Sequence, residues 1–243
     1  MYPQVLLNLY VRPEVPVTSY LTPLTGLTKE KLESQGQLLG QSISLLKATL
    51  PKTAILVGQN IGQDVGWLGL KEGTDFTSMM DLAGMYRVWN EQYNTWSIFG
   101  QDHVAKVLLG WEAQEGGAEH DAVTDAVKSI RLFNYHQTLQ ATPGAMEQAQ
   151  RALLAAPVAP SFAKRYPTFD GVSCWMGGAG WLGGSPAAAH CLRLMSCGVL
   201  LLLPAGVYGQ PKTVQLWGCL PLRMLSRKLR KMMTLRPSDP LPV

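Results

Sequence analysis

The sequence predicts a domain of the α/β class, and two kinds of segment support that prediction. The run Ala54–Gly58 is short, apolar and bounded by turn residues, which is typical of a strand buried in the middle of a sheet. Segments on both sides repeat apolar residues at close to the period of a helix, most clearly over 121–139. Buried strands that alternate with amphipathic helices indicate an α/β architecture.

The remaining elements follow in order along the first 155 residues. The pattern predicts a strand over 5–11, a loop over 16–28, a long helix over 29–50, the strand over 54–58, and helices over 61–70, 99–109, 121–139 and 143–155. Thr28 is a suitable N-cap for the long helix, and Pro51 ends it. Residues 79–86 are ambiguous, and we expect them to begin as a strand.

The character of the sequence changes after Pro160. We expect an α/β domain over 1–155, incomplete at its N-terminus, and an irregular, basic and disordered tail over 156–243. Residues 1–160 carry 11 Lys and Arg against 15 Asp and Glu, whereas 161–243 carry 10 against 2, and the whole chain has a net charge of +4. Electrostatic attraction to nucleic acid is therefore expected in the tail, with a charge run of no binding role as the alternative.

No segment predicts secretion or a membrane span. The N-terminus lacks a basic start and a long apolar core. The most apolar run, 198–208, is broken by Pro204 and falls short of the roughly 20 residues that span a bilayer. All four cysteines follow residue 173 without a Cys-x-x-Cys pair, which favours neither zinc nor disulfides. We expect an intracellular protein, nuclear rather than cytoplasmic, and leave its oligomeric state open.

Two short stretches contain the residues best suited to chemistry. One follows the predicted buried strand and ends at Asp64, which can point back over the strand's end, where α/β sheets bind ligands. The other opens the clearest helix, and with His120 at or before the helix start, His120 and Asp125 can face one cleft. Each residue has a simpler interpretation as a solvated or helix-capping side chain, and Asp121 is favoured as a charge at the helix N-terminus.

These stretches resemble the motifs of the DEDDh 3′→5′ exonucleases, in which G-H-N-x-x-x-D follows a strand and H-D-A-x-x-D-A opens a late helix. The corresponding segments here are Gly58-Gln-Asn-Ile-Gly-Gln-Asp64 and His120-Asp-Ala-Val-Thr-Asp-Ala126. Thr25-Gly-Leu-Thr28 is similar to the T-G-I-T before that family's first helix, and Val11-Arg-Pro13 to its V-K-P. Order, spacing and context agree over roughly residues 4–140.

The resemblance implies a ribonuclease H-like fold, in which a mixed sheet is flanked by helices, and two-metal phosphodiester hydrolysis. Four carboxylates would hold two Mg²⁺ or Mn²⁺ ions. Asp64 and Asp125 would be metal-site carboxylates, and His120 would be the general base. The substrate would be single-stranded nucleic acid, with RNA favoured over DNA. Residues in contact with it would be Thr25, Leu27 and Asn60.

The sequence departs from that family at the first motif. The family carries Asp-x-Glu on its opening strand, whereas no Asp of this sequence is followed two positions later by Glu. We therefore expect an N-terminally truncated domain that binds metal weakly and leaves a sheet edge unpaired. Gln59 stands where the family often has His. The hypotheses are an exonuclease whose activity is reduced or lost, and a non-catalytic module that binds nucleic acid or protein.

Overall fold

The computed structural model describes residues 4–111 and 121–173, together with the strand segments 198–200, 202–203 and 213–217. Strands and helices alternate from β3 to β6, and helices pack around a mixed sheet, which confirms the α/β class. The strands are β1 (Gln4–Val5), β2 (Tyr10–Arg12), β3 (Gly36–Leu38), β4 (Ile55–Gly58), β5 (Ser78–Asp81), β6 (Val88–Asn90), β7 (Thr95–Ser97), β8 (Thr168–Phe169), β9 (Val172–Ser173), β10 (Gly198–Leu200), β11 (Leu202–Leu203) and β12 (Thr213–Trp217). The helices are α1 (Thr22–Thr25), α2 (Lys29–Gln35), α3 (Leu39–Thr49), α4 (Ile61–Trp67), α5 (Leu82–Met85), α6 (Gln101–Leu109), α7 (Ala122–Ala141), α8 (Ala145–Ala155) and α9 (Phe162–Arg165).

The largest described sheet has four strands in the order β10-β12-β4-β5. It is mixed, because β12, β4 and β5 run parallel while β10 is antiparallel to β12. Strand β4 is paired on both sides, because Thr213 pairs with Ile55 on one side and Ser78 pairs with Ile55 on the other. The expectation of an unpaired sheet edge stays a prediction. The boundary between the expected domain and tail, at 155 and 156, stays a prediction.

Strand β4 separates two apolar clusters. Leu56 and Val57 are both fully buried, and because successive side chains of a strand point to opposite faces, each packs into a different cluster. The Leu56 cluster is formed mainly by α3 and α4 and contains Leu46, Leu50, Ile61, Val65, Leu68 and Phe76. The Val57 cluster is formed by α5 to α8 and contains Leu82, Tyr86, Val104, Ala126, Ile130, Leu132 and Leu153. The strand that leads to Asp64 is therefore covered on both faces.

The single helix predicted over 29–50 is wrong, because the structure divides it into α2, β3 and α3. Strand β3 pairs in parallel with β2, and Gly36 lies opposite Tyr10. A Cβ atom on Gly36 would overlap the carbonyl oxygen of Leu32 and lie 2.9 Å from Cβ of Arg12. The absence of a side chain at Gly36 thus permits the close approach of the two strands, which helical periodicity does not reveal.

The helices predicted over 61–70, 99–109, 121–139 and 143–155 agree with α4, α6, α7 and α8 to within a few residues, whereas the loop predicted over 16–28 contains α1. The predicted strand over 5–11 appears as the two shorter strands β1 and β2. Residues 79–86 begin as a strand and continue as α5, as expected. The hairpin β6–β7 was not predicted; Trp89 and Trp96 pair across it with ring centroids 5.3 Å apart. The guanidinium of Arg87 lies 4.1 Å from the Trp96 ring centroid.

Helix α7 is the longest helix of the described residues and packs against α6, α8 and the central sheet. The hydroxyl of Tyr86 donates to the carbonyl of Leu132 at 2.7 Å, which ties α7 to the end of α5. A ring nitrogen of His103 on α6 lies 3.0 Å from the carbonyl oxygen of Leu153 on α8. Across the described ranges, no helix combines the length and apolarity that a membrane crossing requires.

Two neighbouring leucines of α3 test the position of the core. Leu46 is completely buried, whereas 40% of Leu45 is exposed. We expect Leu46→Ala to lower the free energy of unfolding by about 2–5 kcal/mol, because it leaves a cavity beside β4. Leu45→Ala should change it by about 0.5 kcal/mol or less. Urea unfolding followed by circular dichroism measures both, and equal losses would contradict the assignment of the core.

Candidate functional site

The candidate site begins where β4 and β5 end. Asn60 adopts the left-handed conformation, with φ of 55°, and its backbone N–H donates to Oδ1 of Asp81 at 2.8 Å. The same oxygen accepts the N–H of Ala83 at 2.9 Å, so that Asp81 caps α5. Asp81 therefore fixes the turn that leads into α4. It was not among the predicted site residues, although an Asp at the end of a strand and the start of a helix is a recognisable signal.

Asp64 lies in the first turn of α4 and is 7% exposed. Burial, followed by repulsion from Asp81, raises the pKa of its carboxyl well above the usual range. Burial likewise raises the pKa of Asp81, although its two backbone hydrogen bonds act in the opposite direction. A buried carboxylate beside a second one is stabilised by a proton or by a bound cation. The neighbourhood of Asp64 therefore favours either its protonated form or a bound cation.

Asp125 lies in the first turn of α7 and is only 1% exposed. Its Oδ1 is 2.8 Å from Nζ of Lys128, one helical turn further along. The same Nζ is 2.7 Å from Oδ1 of Asp102 on α6. Burial alone would lower the pKa of Lys128, but the attraction of Asp125 and Asp102 outweighs it and raises that pKa. In contrast to Asp64, Asp125 therefore has a protein cation beside its carboxylate.

Hydrogen bonds between α6 and α7 hold Asp125 in place. The side-chain amide of Gln101 donates to the backbone carbonyl of Asp125 at 2.9 Å and also to the hydroxyl of Ser129. Both Gln101 and Ser129 are buried. Polar groups buried in this way must find partners, so the hydrogen bonds fix how the two helices meet. The Asp125–Lys128 pair is therefore supported from both helices.

The predicted substrate residues have internal partners in the structure. Thr25 and Leu27 are buried. The hydroxyl of Thr25 donates to the carbonyl of Tyr20 at 2.7 Å and accepts the N–H of Leu27 at 3.1 Å. Asn60 is half-buried and contributes its backbone N–H to Asp81. These contacts explain the local loop geometry, and the substrate roles of the three residues stay predictions.

The assignment of Asp64, Asp125 and His120 as catalytic residues also stays a prediction. His120 lies outside the residues that the structure describes. In the part of the chain that is described, no three His, Cys, Asp or Glu side chains form a group that could hold a metal ion. The described residues therefore do not fit a complete two-metal site.

Similarity to known proteins covers about half of the chain. It is 30% identical over 134 residues to a Schizosaccharomyces pombe protein described as an uncharacterized exonuclease, covering 55% of this chain and 20% of that protein. It is 27% identical over 133 residues to small RNA degrading nuclease 2 of Arabidopsis thaliana, covering 53% and 28%. The Homo sapiens protein RNA exonuclease 5 is 31% identical over 126 residues, covering 51% and 15%.

Comparison with family models gave no match. Among solved structures, the chain is similar to the catalytic unit of Neurospora crassa Pan2, which contains protease and nuclease domains. The TM-score is 0.49 and the sequence identity is 17%. The match covers 61% of this chain and 24% of the Pan2 chain.

The exonuclease relatives confirm the resemblance inferred from the motifs: the chain carries an exonuclease-like domain. It spans less than a third of the length of each of these relatives. The similarity is therefore between this chain and one part of each relative.

The raised pKa of Asp64 has a measurable consequence for stability. Because the folded protein binds a proton more tightly at Asp64 than the unfolded chain does, stability should fall as pH rises from the unfolded pKa to the folded one. We expect Asp64→Asn to reduce this fall and to make the protein more stable at pH 7, as measured by urea unfolding in EDTA across pH 4 to 8.

Asp75→Asn is the control, because its effect on stability at neutral pH should be opposite to that of Asp64→Asn. The pKa of Asp75 is lowered, first by the N–H of Lys71, which donates to it at 2.8 Å. This variant should lose stability at neutral pH. If Asp64→Asn lowered stability at neutral pH as well, the repulsion assigned to the Asp64–Asp81 pair would be wrong.

Proposed function

We propose that this chain is an exonuclease-type protein that acts on the 3′ end of single-stranded nucleic acid by phosphodiester hydrolysis. RNA is favoured over DNA because two of the relatives named above are described as acting on RNA. Activity requires divalent ions, Mg²⁺ or Mn²⁺, with Asp64 and Asp125 as metal-site carboxylates and His120 as the general base.

The observation that carries this proposal is the state of Asp64. Its carboxylate is buried and repelled by Asp81. It lies in the first turn of the helix that follows the carboxyl end of a parallel strand, the end at which α/β sheets bind ligands. Burial of such a pair is costly unless a cation or a proton balances the charge. A purely structural Asp would instead be expected to have a donor or a basic partner, as Asp125 has in Lys128. This contrast supports a ligand-binding role for Asp64.

A full two-metal site needs more oxygen ligands than these two residues supply. In the described residues neither Asp64 nor Asp125 belongs to a group of three such ligands, so these residues alone do not complete a two-metal site. The chain's own contribution is to hold Asp64 at the end of β4 and Asp125 at the start of α7. Helix α7 packs against β4, which brings the two supporting elements together.

Digestion of 5′-labelled single-stranded RNA in excess Mn²⁺ tests the proposal. The wild-type chain should produce a ladder that shortens from the 3′ end. His120→Ala should slow the reaction by about 100-fold or more, because a general base is removed, and Asp64→Asn should do so through the loss of a metal ligand. The exposed Glu147→Gln on α8 is the matched control and should leave the rate unchanged.

Two results would contradict the proposal. One is the absence of shortening by a wild-type chain that is folded by circular dichroism. The other is a ladder that survives Asp64→Asn, since this would indicate a contaminating nuclease.

The Asp125–Lys128 ion pair favours a second candidate function, a module that binds nucleic acid without cleaving it. A carboxylate neutralised by an ammonium group has no need of a metal ion to be stable in the folded protein. In such a module, affinity would come from positive charge. The basic run 223–236 is the candidate for this charge; it lies outside the described residues, and it would also serve as a signal for the expected nuclear location.

Fluorescence anisotropy with labelled RNA in EDTA distinguishes this candidate from the first. For a binding module, Asp64→Asn and His120→Ala should leave the affinity unchanged within about twofold. Charge reversal of the basic residues in 223–236 should weaken binding and reduce the dependence of log K on log salt, by about 0.7 for each phosphate that is no longer neutralised. A DNA strand of equal sequence tests the preference for RNA. An unchanged salt slope after charge reversal would exclude the tail as the binding segment.

A further inference from the structure

The ammonium group of Lys128 contacts the same carboxylate that the proposed function assigns to a metal ion. It lies 2.8 Å from Asp125 and 2.7 Å from Asp102, and Lys128 is itself buried. Lysine is rarely buried in proteins, and when it is, it is paired. Here its charge is balanced by one carboxylate on its own helix and one on α6. The pair is thus built into the packing of the two helices.

We infer that Lys128 is a built-in competitor for divalent cations at Asp125, so that this carboxylate takes a metal ion only after the ammonium group has moved away. The inference rests on the proposed assignment of Asp125 as a metal-site residue. It adds a residue that regulates metal binding to this site.

Charge and distance make simultaneous binding of both cations unfavourable. A metal ion on Oδ1 of Asp125 would lie within a few ångströms of Nζ of Lys128, which is 2.8 Å from the same oxygen. Little water is present to screen the repulsion, because Asp125 is 1% exposed and Lys128 is buried as well. A divalent ion must therefore displace the ammonium group, and the binding free energy is reduced by the loss of that ion pair.

The structure also provides a place for the displaced charge. Asp102, the second partner of Lys128, has a side chain that is 55% exposed, whereas that of Asp125 is 1% exposed. Lys128 can thus leave Asp125 and keep a partner at a better hydrated position. The competition is therefore reversible. A structural ion pair whose lysine had no second, exposed carboxylate to contact would not allow such an exchange.

Manganese binding by the whole chain, measured without RNA, tests the inference. Lys128→Met keeps the length of the side chain and removes its charge. We expect this variant to bind Mn²⁺ about tenfold more tightly than the wild type in isothermal titration calorimetry, a change typical of residues that tune a metal site. The melting temperature of the variant should rise on addition of Mn²⁺ by several degrees more than that of the wild type.

Three further variants serve as controls. Lys106→Met removes an exposed lysine of α6 and should leave Mn²⁺ binding unchanged. Lys128→Arg keeps the positive charge and should bind Mn²⁺ no more tightly than the wild type. The double variant Lys128→Met with Asp125→Asn should lose the gain, because the carboxylate that was uncovered is no longer present.

Three results would overturn the inference. Equal Mn²⁺ affinity of the wild type and Lys128→Met, or a gain that persists in the double variant, overturns it. If Lys128→Met is unfolded in EDTA because the ion pair with Asp125 is lost, Mn²⁺ should restore its helical circular dichroism signal and a cooperative melt. Failure of this rescue also overturns the inference. Because no RNA is present, a chain that cleaves nothing can still show the gain, so failure of the proposed function is detected separately.

Discussion

The enclosure of β4 is the constraint on which the candidate site depends. Its two central side chains, Leu56 and Val57, face opposite clusters and are both fully buried, and each edge of the strand is paired with a neighbour. A strand covered in this way has little freedom to shift its register, because a one-residue slip would exchange its two faces. The end of β4 therefore fixes the start of α4 and the position of Asp64.

The two predicted metal-site carboxylates are buried in different electrostatic environments. Asp64 faces a second acid, and the pKa values of both Asp64 and Asp81 are raised. Asp125 instead lies in an ion network with Lys128 and Asp102. Truncation of one partner in a buried pair is expensive, since it leaves an uncompensated charge. The packing of α6 against α7 therefore depends on the ion network. At the ends of β4 and β5, by contrast, the negative charges of Asp64 and Asp81 repel each other, and a ligand could stabilise them.

Local signals in the sequence predicted the helices α4, α6, α7 and α8 and the central strand. The periodicity around Ile130 and the turn residues around Ile55–Gly58 depend on neighbouring residues alone, and these elements are present as expected. The break at Gly36 was missed because it depends on the pairing of β3 with β2, a strand that is distant in the sequence.

The candidate site shows the same division between local and distant information. Asp64 and Asp125 were identified from motif spacing, and their burial is consistent with a role inside the domain. The contact of Lys128 with Asp125 could have been anticipated, since residues three apart on a helix are neighbours. Its contact with Asp102 could not, because that residue lies on another helix and only the packing of α6 against α7 brings the two together. Asp81 was missed for a different reason: the pattern marked its segment as ambiguous.

Charge balance also explains why a nuclease and a binding module are difficult to separate by motif alone. Both would have an exonuclease-like domain that retains Asp64 and Asp125, so both would show the same sequence signature. What differs is the cation that neutralises Asp125. An ammonium group supplied by α7 stabilises the fold without any ligand, while a divalent ion at the same oxygen would couple stability to metal concentration. Lys128 lies outside the motif, one turn beyond Asp125 on α7. If Lys128 competes with a divalent ion as proposed, metal binding at this carboxylate would depend on a residue that the motif does not specify.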